Sequence, residues 1–206
     1  MKALKLTIIL SCLISAFTCS PAKYQIKVLN TPTITIDNRE AKVGDWFNDQ
    51  SIIVWSRDNQ AMRVVSDENK VYTLSAKLYK EAKAKKFSDF ILNTKPLAVR
   101  GTKDLDLIEQ LAERFDNMFI MLDEIVIDLS DIDLPSSCKF LFRSSDHKNS
   151  FVVTPTNGRL HISRKSLNHN GRSRSHNCNF AVTMQFESKI SKLITETFEI
   201  ESLPLK

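Results

Sequence analysis

Residues 164–177, RKSLNHNGRSRSHN, carry Arg164, Lys165, Arg172 and Arg174, two histidines and no acid. Such a cluster can hold phosphate or an anionic polymer by charge alone. It has no aromatic residue, so it offers no stacking platform for single-stranded nucleic acid. A solvated loop between strands accounts for it more simply, and nucleic acid is not an expected partner. His161, His169, His176 and Cys178 are zinc ligands by type, but their spacing matches no standard finger. Asp128, Asp131 and Asp133 suggest an oxygen-rich calcium loop, yet the required glycine and closing glutamate are missing. They are expected in a polar turn, and no metal or cofactor is expected.

Nucleophilic and nucleotide chemistry find no local signature. There is no Gly-x-Ser-x-Gly elbow and no His-Glu-x-x-His. With only four glycines in 206 residues, a glycine-rich phosphate loop is nearly excluded. Cys138 and Cys178 are two thiols that could pair in an oxidising compartment. Trp46, Phe47 and Trp55 supply the apolar area for a groove that holds a protein or a glycan, although tryptophans of small β-domains commonly fill the core.

These residues need elements to hold them. Strands are expected at 24–29, 33–36, 52–55, 61–65 and 71–78, with turns at Asp37-Asn38, Asp58-Asn59 and 67–70. In the first strand, Tyr24, Ile26 and Val28 share one face and Gln25 and Lys27 the other. Short strands at this spacing, holding both tryptophans, resemble a bacterial SH3-like barrel over about sixty residues. That resemblance implies an architecture and no activity.

A helix is expected over 80–92, and Pro96 disfavours helix at the residue before it. A second helix is expected over 102–117, with Leu105, Ile108, Ala112 and Phe115 in one stripe and Thr102 as its cap. Asp104 and Asp106 suit its positive end. From residue 118 the pattern turns to strands, at 118–122, 124–129, 139–143, 150–155, 159–163, 179–186 and 192–203. Their number and spacing suggest an immunoglobulin-like β-sandwich, without the tryptophan of the usual Cys–Trp–Cys core.

The expected class is therefore mainly β with α, an α+β chain. Its expected divisions are a leader at 1–18, a β-rich domain at 19–100, a helical connector at 101–117 and a β-sandwich at 118–206. The formal charge of +5 is mild but uneven. Residues 19–100 hold 14 basic and 9 acidic side chains, 101–134 hold 2 and 10, and 135–206 hold 11 and 5.

Lys2 and Lys5 precede an apolar stretch at 6–17, which is too short to span a bilayer and suits a secretory leader. Cys19 then stands where a lipoprotein is acylated, and Ala22 offers a competing cleavage site. The expectation is an exported bacterial envelope protein in the periplasm or at the outer-membrane surface, held to the membrane by lipid if Cys19 is acylated. Its expected role is a non-catalytic binding or structural module for an envelope protein or glycan. A small envelope hydrolase and an anion binder using 164–177 are the alternatives.

Overall fold

The structure is a computed structural model and describes residues 21–31, 33–93, 98–99, 106–115, 119–122, 124–145, 150–163, 166, 177–186 and 190–202. Cys19, Arg164, Lys165, Arg172, Arg174, His169 and His176 lie outside the described residues. The described chain is mostly strand with three helices, as an α+β chain should be.

The strands are β1 (Lys23–Leu29), β2 (Thr35–Ile36), β3 (Arg39–Glu40), β4 (Trp46–Asn48), β5 (Ile53–Val54), β6 (Ala61–Ser66) and β7 (Lys70–Ser75), then β8 (Ala98–Val99), β9 (Phe119–Met121) and β10 (Glu124–Asp128). They continue with β11 (Lys139–Ser144), β12 (Ser150–Val153), β13 (Arg159–Ser163), β14 (Asn177–Phe186) and β15 (Ile190–Ser202). The helices are α1 (Ala76–Glu81), α2 (Phe87–Asn93) and α3 (Leu107–Phe115).

Three sheets form. The largest has the order β13-β10-β1-β6-β7-β8, with β4 also on β1. A second runs β12-β11-β14-β15-β9, and a small one runs β3-β2-β5. Among the described residues all pairings are antiparallel except β15 with β9. Strands β10 and β13 follow the expected connector in sequence, yet they extend the sheet begun by β1: Val28 faces Ile127 and Leu29 faces Val126 across the ladder.

That sheet is buried on both faces. One face carries Tyr24, Ile26, Met62, Val64 and Leu74 into a core closed by the small sheet and by Tyr79, Phe87 and Phe90. The other carries Val28, Ile125, Ile127, Leu160 and Ile162 into a core closed by the second sheet and by Leu111 and Phe115 of α3. A bulge in β1 between Ile26 and Val28 makes this possible. An extra residue shifts the alternation, so Val28 leaves the face of Ile26 and enters the second core.

This corrects the even alternation expected for β1. Lys27 is 3% exposed rather than solvated. Its ammonium lies 3.1 Å from Asp128 and 3.0 Å from Asp131. Arg114 of α3 joins Asp131 at 2.8 Å. Arg63 of β6 donates to the Glu113 carbonyl, one of the last-turn carbonyls that α3 cannot satisfy internally.

Local caps explain the helix boundaries. The strand expected to reach residue 78 stops at Ser75, whose hydroxyl accepts from the Leu78 amide and starts α1. The single helix expected over 80–92 is two. The amides of Lys83 and Ala84 donate back to the carbonyls of Lys80 and Tyr79, a paired closure that ends α1, with Lys83 left-handed at φ 50° where glycine is usual. The Asp89 carboxylate accepts from the amides of Lys85 and Lys86 and so starts α2. At α3 the cap is Asp106, which accepts from the Glu109 amide at 2.9 Å. Thr102, expected there, lies outside the described residues.

Candidate binding clefts

β4 lies along β1 in the register Gln25 to Trp46 and Tyr24 to Phe47. Strand alternation then sends the two aromatics to opposite faces. Phe47 is buried, with its ring 5.8 Å from Tyr24 and 5.1 Å from Phe87. It is core, and the expectation that it reaches a partner is corrected. Trp46 points the other way and is 56% exposed. Gly44, two residues earlier, has φ 96°, and a Cβ there would stand 2.9 Å from the Arg159 guanidinium. The positive φ favours glycine, while the guanidinium, at the end of a flexible side chain, would only have to shift.

Trp46 stands between two clefts. The larger, about 740 Å3, is bounded by Ile36, Asp37, Arg39, Glu40, Lys42 and Asp45. The other, about 530 Å3, is bounded by Pro21, Lys23, Asn48 and Asp67. Two carboxylates of the larger cleft already hold backbone. Asp37 accepts from the Ile52 amide at 2.8 Å, and Asp45 accepts from the Lys42 amide at 2.9 Å. One oxygen of each thereby fixes a turn.

A third cleft, about 620 Å3, opens between the end of β5 and α1. Val54 and Trp55 form one wall, Tyr79, Lys80 and Lys83 the other, and Arg57 and Asp58 its rim. Trp55 is half-buried, with its ring 5.7 Å from that of Tyr79. Tyr79 stacks in turn on Phe90, and Phe90 on Phe87, so an aromatic column runs from this cleft into the core. The Trp55 Nε1 and the Tyr79 hydroxyl are both buried, and neither has a hydrogen-bond partner among the described residues. Burial and then the Asp89 carboxylate push the Tyr79 phenol well above the ordinary tyrosine value, so it is a proton donor at neutral pH. Trp46 and Trp55 thus border different clefts rather than one groove.

The other candidates separate. No group of three or more metal-ligating side chains occurs among the described residues. His161 is exposed and lies 3.6 Å from Glu124 on the neighbouring strand. Asp128 and Asp131 belong to the Lys27–Arg114 ion pairs, not to a calcium loop, and Asp133 is exposed. For Asp128, burial raises the carboxyl, but the Ser130 hydrogen bond and the Lys27 ammonium outweigh it, leaving it below the usual carboxylate value.

Cys138 is a buried free thiol, and burial raises its pKa. It precedes Lys139, which faces Gln185, whereas Cys178 stands beyond the other end of the same ladder, past Phe180. At about 3.3 Å per residue, the seven residues from 178 to 185 put the two cysteines roughly 20 Å apart. A disulfide needs Cα atoms within about 7 Å, so the expected pairing of Cys138 with Cys178 is corrected.

Tyr79 and Lys27 are the residues that sequence reasoning passed over. Tyr79 fell between an expected strand and an expected helix, and the Ser75 cap was the available signal. Lys27 had no local signal, since its partners lie about a hundred residues away.

No family model matches the chain, and neither a curated protein nor a solved structure matches it.

Proposed function

We propose that this chain is an exported bacterial envelope protein that acts as a non-catalytic binding module, with Trp46 as the anchor for a protein or glycan partner. The observation that carries the reading is the 56% exposure of Trp46 on a strand fixed to the central sheet. An indole held out of the core on a rigid element retains its desolvation free energy for a partner, at little cost in ordering. The polar side chains of the flanking clefts suit the rim that surrounds such an anchor. Export rests on Lys2, Lys5, the apolar stretch 6–17 and Cys19, and a lipid on Cys19 would hold the module at the membrane.

The test of function is capture from envelope extract and from purified envelope glycan. Trp46→Ala should weaken capture by about 2 kcal/mol or more, as anchor truncations do, while neutralising Arg172 and Arg174 should leave it nearly intact. The opposite pattern would move the anion-binding alternative to first place. For export, intact mass from the native host should show residues 1–18 removed and a lipid on Cys19. Full-length cytoplasmic protein would sink that part of the reading.

A further inference from the structure

Among the described residues β4 pairs with β1 alone, so its far edge carries no strand. The hydrogen bonds around it show which backbone groups that edge presents. The Asp45 carbonyl accepts from the Ile26 amide of β1 at 3.0 Å. Across a trans peptide the carbonyl and the following amide point in opposite directions, so the Trp46 N–H is turned away from β1. The Lys23 carbonyl accepts from the Asp67 amide at 2.9 Å and therefore faces the β6 side. Backbone groups alternate along a strand, so Tyr24 exchanges its ladder bonds with Phe47, and the Trp46 carbonyl is turned outward with its amide.

Asn48 is the next residue to face outward, and it is already closed. Its amide donates to the Ser51 hydroxyl at 3.2 Å, and its carbonyl accepts from the Ser51 amide at 3.1 Å. Trp46 has no such cover. Neither of its outward backbone groups has a partner among the described residues. The edge is thus open at the residue whose indole is exposed. It opens into the larger cleft, because Asp45, Trp46 and Phe47 form one wall of that cleft. The β2–β3 hairpin, from Ile36 to Lys42, forms the other. A volume of about 740 Å3 suits a short stretch of extended chain. The strand edge of a second copy would bring its own hairpin against this one, so a slim occupant is favoured. Arg39 and Lys42 stand beside Asp37, Glu40 and Asp45, so the occupant needs no net charge.

We propose that an extended segment of a partner protein adds to β4 here, with one of its residues exchanging two backbone hydrogen bonds with Trp46. Strand addition to an open edge takes its affinity from such bonds and its specificity from alternate side chains. An antiparallel segment places both bonds on a single residue, which is what this edge offers. The side chain of that residue lies on the face of the indole and packs against it, and its neighbours turn to the face of Phe47. The proposal rests on Trp46 as the partner anchor and names that partner as a protein in strand form. A glycan can stack on the indole but has no repeating backbone amide to match the edge.

The test uses the complete chain with its two tryptophans isotope-labelled on nitrogen, and the Trp46 resonances are assigned through Trp46→Phe. The probes are acetyl-Ser-Thr-Val-Thr-Ser-amide, the same peptide N-methylated at valine, and the trimer of N-acetylglucosamine. The parent peptide should move the Trp46 backbone amide saturably at millimolar concentration and slow its exchange with solvent at least tenfold, while the Trp55 amide stays. The N-methylated peptide cannot donate to the Trp46 carbonyl and should bind roughly tenfold more weakly. A stationary Trp46 amide, or equal binding of the two peptides, would overturn the proposal. So would protection of that amide by the sugar trimer alone, or protection that rises with protein concentration and no probe, which assigns the edge to a second copy. Loss of envelope capture in Trp46→Ala with equal binding of the two peptides keeps the anchor and removes the strand. Unequal binding of the two peptides with capture intact in Trp46→Ala does the reverse.

Discussion

Lys27 reaches Asp128 across the junction of β1 and β10, Nζ to Oδ2 at 3.1 Å, with both side chains almost wholly enclosed. Each is part of the other's compensation for leaving water, since Lys27 also holds Asp131 at 3.0 Å and Asp128 also takes the Ser130 hydrogen bond. Removing one partner strands the other's charge and typically costs ~3–5 kcal/mol, whereas replacing both by apolar groups of similar size is often close to neutral. Lys27→Met and Asp128→Leu should each lower the urea midpoint sharply, and the double variant should lose less than the sum. The acid limb follows from the same pair. Asp128 has a folded value below its unfolded one. Its contribution is therefore present above the unfolded value, near pH 4, and is lost as pH falls through the folded value. The deficit of Asp128→Asn against the parent should shrink below about pH 4. Additive single effects with an unchanged acid limb would contradict the pairing.

Tyr24, Tyr72 and Tyr79 are the three tyrosines of the chain, and all are buried. Burial raises each phenol, and for Tyr24, with the added influence of Tyr72, Asp49, Asp67 and Glu68, to about 12. A raised folded value means that the unfolded chain loses these protons first. The stabilisation is complete below pH ~10, where an unfolded tyrosine ionises, and is lost as pH rises through the folded values. Ultraviolet titration should show no tyrosinate band at pH 10, followed by a cooperative appearance together with unfolding. A gradual band starting near pH 9.5 would place a phenol in solvent.

Phe115 is fully buried at the end of α3, with its ring 5.6 Å from Phe140 and 6.0 Å from Phe142. Phe115→Ala should cost ~3–5 kcal/mol, the range for emptying an enclosed aromatic site. Denaturant titration can read this directly, and a loss within error would mean that α3 is not part of the core.

Period-based reading served where the cause of structure is local. Phe180, Val182 and Met184 alternate and all face one core, and the strands around residues 125, 141 and 161 lie where their apolar spacing puts them. It served less well where a short cap decides, as at Ser75 and Asp106, although a side chain accepting three residues ahead is a readable signal. The stripe expected on α3 centred on Ile108 and Ala112, but Leu111 with Phe115 forms its deepest line. Partner choice was not readable. Nothing near Lys27 marks a bulge or names Asp128, and nothing near β10 says that it joins β1 rather than the strands around it. The clefts share this limit. Trp46 and Trp55 stood out by type, but which of them faces solvent depends on the pairing of β4 with β1 and on the packing of Tyr79.

The place of β10 in the largest sheet has a consequence for synthesis. The edge of β1 at Val28 and Leu29 is filled by a strand made 97 residues after Leu29, since Leu29 faces Val126. At translation rates of about 5–20 residues per second, that delay is on the order of ten seconds. Through it the nascent chain has an apolar strand with open backbone donors and acceptors, the kind of edge that recruits another strand. A fragment ending near residue 100 would keep that edge permanently and would pair with its own copies, while the complete chain closes it from within.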